Sequence, residues 1–315
     1  MKQKTVKSCS YLQKTVNNMN KPKTVLIAGG SGLVGTNLAR LLRDKGYSVK
    51  FLTRQKSNDY LIHWNPKSKE IDLQELIDVD VVVNLAGANI GDRNWTDARK
   101  KELIASRIDS TLFLSEIAAK MPALSYYVGA SGVNCYELIP NRIMSESDAF
   151  GSDFLSTLVR DWEAASDQFQ AHCPYMKLRI AMVLSGEGGS LEAMKKPISF
   201  GLGSPLGKGT QYHPWIHIDD LSRMILFGME QHLTGTYHAV ANCDQNRTMM
   251  KEISRQMKRP FFLPAVPAFL LKMILGERSM LVLLDLQVSN DKIKKTGFQF
   301  KFEQLADALK AIFQK

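Results

Sequence analysis

Cysteine is scarce in this chain and scattered. Cys9, Cys135, Cys173 and Cys243 are the only four among 315 residues, with no CxxC pair and no HExxH run. That argues against a zinc centre and a disulfide framework, and makes a reducing compartment the default. Long apolar runs are missing too. Stretches such as AFLLKMILG are too short or too interrupted for a bilayer span, which needs about 20 apolar residues. The N-terminal segment lacks the apolar core of about 7–15 residues that a secretory signal requires, and it lacks the arginines of an organelle presequence. A cytoplasmic protein with no membrane partner is therefore expected. No internal repeat and no low-complexity linker occurs.

Acidic residues are absent from positions 1–23, where Lys2, Lys4, Lys7, Lys14, Lys21 and Lys23 stand. Six of the net +10 charges thus belong to this segment, leaving only +4 for the rest. No basic run is interleaved with aromatics, so a nucleic-acid stripe is not expected. Residues 1–22 read as a disordered basic tail, with Met19 as an alternative start.

What is present is the composition of a globular protein, 44% hydrophobic and 23% charged, in a chain long enough to bury a core without staples. The most informative stretch is TVLIAGGSGLVGTNLARLLRDKGYSVKFLTR. Thr24 to Ala28 is an apolar, β-branched run suited to a strand buried on both faces. A glycine turn follows, then Leu33, Leu38, Leu41 and Leu42 at helical spacing, with Gly46 ending the helix. YSVKFLT supplies the second strand of a β-α-β unit.

Further strands are predicted over 80–87, 124–131 and 175–185, with helices over 96–120 and 152–170. The alternation implies a Rossmann-type, doubly wound parallel α/β sheet over 23–185. Residues 186–315 are expected to complete that core and to form a smaller C-terminal, substrate-side lobe.

Gly29, Gly32 and Gly35 form GxxGxxG between strand and helix. Such a turn lets a pyrophosphate approach the backbone and presents a helix N-terminus to it. The second strand ends in FLTRQK. It carries no carboxylate for a ribose 2′-hydroxyl, whereas Arg54, with Lys56, suits a 2′-phosphate. NADP is therefore favoured over NAD. Loops at the carboxyl ends of parallel strands should bring Thr53, Arg54, Leu85, Ala86 and Gly87 to the crevice.

GGSGLVG, NLAG at 84–87 and GASGVNCY together resemble the extended and atypical short-chain dehydrogenase/reductase superfamily. NLAGANIGDRNWTDARKKELIASRIDST and GLGSPLGKGTQYHPWIHIDDL resemble, more narrowly, the "epimerase family protein" group. RPFFLPAVPAFLLKMILGE and LLDLQVSNDKIKKTGFQFKF look like that group's C-terminal domain of unknown function. The resemblance spans about residues 23–313. It implies nucleotide contacts at Gly29, Gly30, Ser31, Gly32, Leu33, Val34 and Gly35, at Thr53, Arg54, Leu85 and Ala86, and at Glu102 and Arg107. The last two stand five apart in a predicted helix and share no face.

The superfamily's chemistry uses a Ser, a Tyr and a Lys four residues after the Tyr, which lowers the phenol pKa. Ser131 matches the Ser. Aligning on Glu163 puts Leu155 and Val159 where Tyr and Lys belong, and none of the nine tyrosines has a Lys four residues later. Tyr136 and His217 are the candidate proton donors, water a third, with His213 also in range. At least one of Asp219 and Asp220 is expected to cap the next helix. Arg179, inside an apolar strand, must be paired or reach the crevice. With Lys208, Gln211 and Trp215, which stand on a glycine-rich stretch that suits either a closing lid or an irregular loop, it is a candidate for binding a small polar substrate. Two readings stay open: an NADP(H)-dependent oxidoreductase or epimerase, possible homodimer included, and a non-catalytic NADP-binding sensor or regulatory protein.

Overall fold

The structure, a computed structural model, describes residues 23–54 and 61–314. Lys56 and the basic tail lie outside the described residues. An eight-stranded sheet forms the centre, built from β1 (Thr24–Ala28), β2 (Ser48–Thr53), β3 (Leu61–Asn65), β4 (Glu70–Ile71), β5 (Val81–Asn84), β6 (Tyr126–Gly132), β8 (Tyr175–Ile180) and β11 (Gly235–Ala239). Its order is β11-β8-β6-β5-β1-β2-β3-β4, parallel throughout except for β4, which runs against β3. The short β7 (Ile143–Met144) pairs with β13 (Gln287–Val288), and β9 (Met182–Leu184), β10 (Tyr212–His217) and β12 (Asn242–Gln245) form a third sheet.

The centre strands are apolar on both faces because both faces are covered. Val25 and Ile27 of β1 enter one cluster with helices Leu33–Asp44 and Ile218–Gln231; Leu26 enters another with helix Ile108–Ala118. Alternation along a strand sends neighbours to opposite faces, so each face receives Val, Ile or Leu. Each such side chain stabilises the fold by roughly 1.5–3 kcal/mol when fully buried. The fold is the expected Rossmann-type sheet.

Two predicted elements are broken, each for a visible reason. The helix expected over 96–120 is two helices, Asp97–Ala105 and Ile108–Ala118. At the break the Ser106 hydroxyl accepts from Ala88 N at 3.0 Å, and Arg107 Nη2 donates to Ala88 O at 3.0 Å. The peptide groups flanking Ala88 are thereby clamped from both sides, and the loop after β5 is held to the helix pair.

The strand expected over 175–185 divides at Ala181. Its first part stays in the main sheet between β6 and β11; its second, β9, pairs with β10. Beyond residue 185, β11 is an edge strand of the main sheet, and helix Leu305–Phe313 packs on helix Asn246–Gln256. No helix among the described residues is long and apolar enough to cross a membrane.

Candidate active site

The turn after β1 is shaped for close backbone approach. Gly29 is left-handed at φ +78°, and a Cβ there would stand 2.7 Å from Leu85 O. A Cβ on Gly35 would stand 2.5 Å from Gly29 O, so turn, helix and the end of β5 touch through backbone alone. Gly32 is the N-cap of helix Leu33–Asp44 and supplies no side-chain cap. The first-turn amides therefore remain available to an anion, with the helix dipole aligned. Ser31 and Gly32 are exposed, Leu33 and Val34 half-buried, and Gly30 lies against the Phe51 ring.

Leu85, Ala86 and Gly87 leave β5 in a bend set by a buried asparagine. Asn84 Oδ1 accepts from Ala86 N at 3.1 Å, while its Nδ2 donates to Thr111 Oγ1 at 2.8 Å. Asn84 was visible in NLAG; its role was not, because the partner Thr111 lies in a later helix.

Arg107 comes to the same place. A Cβ on Gly87 would stand 3.1 Å from Arg107 Cζ, and the guanidinium lies over the Trp162 ring at 5.3 Å. Its hydrogen bonds go to the carbonyls of Leu103 and Ala88. Burial, and secondarily the charge of Arg99, pull its pKa down to about 10. A cation so desolvated, beside glycine backbone, is suited to an anionic group. Glu102 instead is exposed and paired with Arg99 at 2.6 Å. Arg99 is the group that sequence reasoning missed: it holds Asn89 O at 2.5 Å and Asp92 at 2.7 Å, fixing the loop that follows Ala88. Thr53 is half-buried and Arg54 exposed, at the carboxyl end of β2.

These features fit a dinucleotide. The glycine turn and open helix end can hold a pyrophosphate, Arg107 can add a cation, and Arg54 can meet a 2′-phosphate at the crevice edge.

Ser131, Arg179 and His238 stand in one row across three neighbouring strands. The register aligns Ser131 of β6 with Arg179 of β8, and Arg179 with His238 of β11. Ser131 Oγ donates to Glu163 Oε1 at 2.7 Å; Arg179 grips the same carboxylate through Nε at 2.7 Å and Nη2 at 3.0 Å. Arg179 Nη1 also donates to Tyr136 OH at 2.7 Å and to Glu146 O at 3.0 Å. The Tyr136 hydroxyl is in turn bonded to His238 Nε2. His238 Nδ1 is 2.6 Å from Ser289 O, which makes Nδ1 the donor and leaves Nε2 to accept from the phenol.

Ser131, Tyr136, Glu163, Arg179 and His238 are all buried. Burial drives the Tyr136 pKa far above its ordinary 10, against the pull of Arg179. Arg179 is thus paired within the sheet. Its charge was legible; Glu163 and His238 as its neighbours were not, since they arrive from elements 16 residues before and 59 after it.

Leu155 and Val159 occupy their helix as apolar contacts. Leu155 packs with Trp95, Leu103 and Leu158, and Val159 with Val133 and Tyr136. Asp153 caps that helix by accepting from Leu155 N and Ser156 N.

Farther along the chain, His217 is the N-cap of helix Ile218–Gln231, its imidazole accepting from Asp219 N at 3.1 Å. That replaces the expected aspartate cap. Asp220 is fully buried and accepts from the backbone amides of Lys301 and Phe302. Trp215 is fully buried, with its indole donating to Asp244 at 2.7 Å. Gln211 is buried and donates to Leu206 O and Val282 O, pinning the glycine-rich loop, whereas Lys208 is exposed on it. Among the described residues no group of three or more His, Cys, Asp or Glu could hold a metal ion.

Comparison with known proteins places this geometry. Residues 25–150 match the NAD dependent epimerase/dehydratase family, and residues 266–312 match a domain of unknown function, DUF1731. Epimerase family protein ML0860 of Mycobacterium leprae is 34% identical over 295 residues, 92% of this chain and 95% of the relative. Epimerase family protein SDR39U1 of Mus musculus is 33% identical over 295 residues, 91% and 99% of the two chains. A crystal structure of human epimerase family protein SDR39U1 (isoform2) with NADPH superposes with a TM-score of 0.83 at 30% identity, covering 93% and 99%. MoeE5 in complex with UDP-glucose and NAD shares the fold, with a TM-score of 0.76 at 16% identity, covering 92% and 97%.

Proposed function

Because this chain belongs to the epimerase family proteins, on an NAD-dependent epimerase/dehydratase core, we propose that it binds NADP(H) and acts as an oxidoreductase or epimerase on a small polar substrate. The human relative solved with NADPH supports the choice of cofactor, as does Arg54 at an end of β2 that offers no carboxylate. The cofactor supplies hydride chemistry when bound.

The carrying observation is the hydrogen bond from Ser131 Oγ to Glu163, held by Arg179. With its proton directed at Glu163, the hydroxyl presents lone pairs, and so accepts a hydrogen bond from a substrate alcohol. Arg179 fixes the carboxylate, and the carboxylate fixes the rotamer of Ser131. Preorganisation of this kind costs nothing at the moment of reaction. Leu155 and Val159 cannot move a proton, and Tyr136 is held between Arg179 and His238. Water is therefore the proton carrier in this reading, and Tyr136, Arg179 and His217 act as positioning residues. The ordered hydroxyl favours chemistry over a purely nucleotide-sensing role.

Calorimetric titration with NADPH and NADH, on wild type and Arg54→Ala, tests the assignment. NADPH should bind at least about tenfold tighter than NADH, a difference of about 1.4 kcal/mol, and the substitution should erase the preference. If neither nucleotide binds, the reading is wrong.

A further inference from the structure

Two short segments hold the most exposed apolar side chains among the described residues. Phe200, Phe262, Met273 and Phe269 are 75%, 74%, 73% and 72% exposed, and Leu202 and Ile274 join them at 55% and 61%. The segments run side by side. Gly203 bridges to Phe261 and Leu206 to Val266 in parallel, with Val266 N donating to Pro205 O at 2.8 Å. Helix Ala268–Leu275 follows directly, reads AFLLKMIL, and buries only Leu271. A helix that keeps Phe269, Met273 and Ile274 in water has more apolar surface than its fold uses.

Cations predominate along the two segments, with Glu192 and Glu277 just beyond their ends. Residues 193–208 contain Lys195, Lys196 and Lys208; residues 256–276 contain Lys258, Arg259 and Lys272; neither segment contains an acid. Lys195 is engaged by Glu192 at 2.8 Å, while the other five cations are exposed. Protruding aromatic and aliphatic side chains ringed by cations are the pattern of a surface that lies in a membrane interface.

We infer that this face docks on an anionic lipid bilayer, lying on it without crossing it. That departs from the expectation of no membrane partner, which rested on the lack of a spanning segment. A second copy of the chain fits less well. A two-fold pairing through the same patch would set its cations against their own copies, whereas an anionic surface attracts them. Side chains about three-quarters exposed also protrude, as insertion between headgroups requires.

The test is co-sedimentation of the full chain with vesicles of phosphatidylcholine alone, and of phosphatidylcholine and phosphatidylglycerol in equal parts. Wild type should bind the anionic vesicles. The combined variant Phe262→Ser, Phe269→Ser and Met273→Ser should bind at least about tenfold more weakly. The variant Lys258→Glu, Arg259→Glu and Lys272→Glu should lose the preference for phosphatidylglycerol. Unchanged melting temperatures check the fold, and Phe269→Ser alone serves if a triple variant fails to fold. The inference is overturned if wild type does not bind. Equal binding by the apolar variant also overturns it, because the lysine-rich residues 1–23 would then carry the attraction. So does a dimer that the apolar variant dissociates while vesicles remain unbound.

Discussion

The Ser131 hydroxyl lies 2.7 Å from Glu163 Oε1, an oxygen that also takes the Arg179 Nε–H at 2.7 Å. One carboxylate therefore orients a candidate reactive hydroxyl and neutralises a charge inside an apolar strand. The two roles are separable. Glu163→Gln leaves the Arg179 guanidinium buried without its counter-ion, and breaking such a pair costs about 3–5 kcal/mol. Ser131→Ala keeps the ion pair and removes a single hydrogen bond, about 1–2 kcal/mol. Urea unfolding of the two variants should separate by that margin. Equal losses would mean that the Arg179–Glu163 pair is solvated, contrary to its burial.

Arg107 makes the opposite kind of prediction. Its cation is desolvated, lies over the Trp162 ring, and among the described residues donates to the Leu103 and Ala88 carbonyls. Replacing it by Leu removes a buried charge, so the nucleotide-free protein should lose at most about 1 kcal/mol or gain stability. The same change should weaken NADPH binding by about ten- to a hundredfold, if the cation meets the nucleotide's phosphates. Thermal unfolding with and without NADPH measures both. Strong destabilisation without nucleotide, with affinity retained, would make Arg107 only a clamp on the loop after β5.

The sequence made the fold legible where a single element carries the signal. TVLIA, the glycine turn and the leucines that follow are one continuous β-α-β unit, and both periodicities are local. The site was legible only in part, because its partners are joined by sheet register. Ser131, Arg179 and His238 sit on three adjacent strands, and no spacing within the chain encodes that row. The break after Ala105 was hidden for a similar reason. Ser106 and Arg107 are acceptable inside a helix, and turn aside only because Ala88 offers both an N–H and a carbonyl. Strand β10 was obscured by Pro214, a residue that central strands seldom carry; β9 pairs with β10 only from Trp215 onward, while Pro214 stands opposite Cys243 of β12.

Two glycines of the turn should respond differently to alanine. At Gly35 the new Cβ would meet backbone, Gly29 O at 2.5 Å and Gly30 Cα at 2.7 Å. Backbone cannot yield without opening the turn. Gly35→Ala should cost about 2 kcal/mol or more and take nucleotide binding with it. At Gly30 the obstacle is the Phe51 ring, 2.0 Å from the added Cβ. A half-buried ring can swing aside, so Gly30→Ala should be the milder of the two. Denaturant midpoints and NADPH titrations on both variants check the order, and the reverse order would show that the ring is the more rigid neighbour.

Acid should unfold this protein earlier than its carboxylates alone dictate. Burial holds His213 neutral and lowers its pKa from 6.5 to about 4, against an opposing pull from Asp285. Burial lowers His238 as well. Between these two limits the unfolded chain binds a proton at His213 that the folded chain refuses. Stability therefore falls as pH drops from 6.5 toward 4, and His213 contributes no slope above or below that window. The loss from this one group approaches about 3 kcal/mol. The Asn246 amide lies 3.4 Å from His213 Nε2, so His213→Asn, which keeps a polar group there, should remove that share of the slope. Unfolding free energies of wild type and variant, measured from pH 8 to pH 4, give the comparison. Parallel curves would mean that His213 reaches solvent and titrates as it does in the unfolded chain.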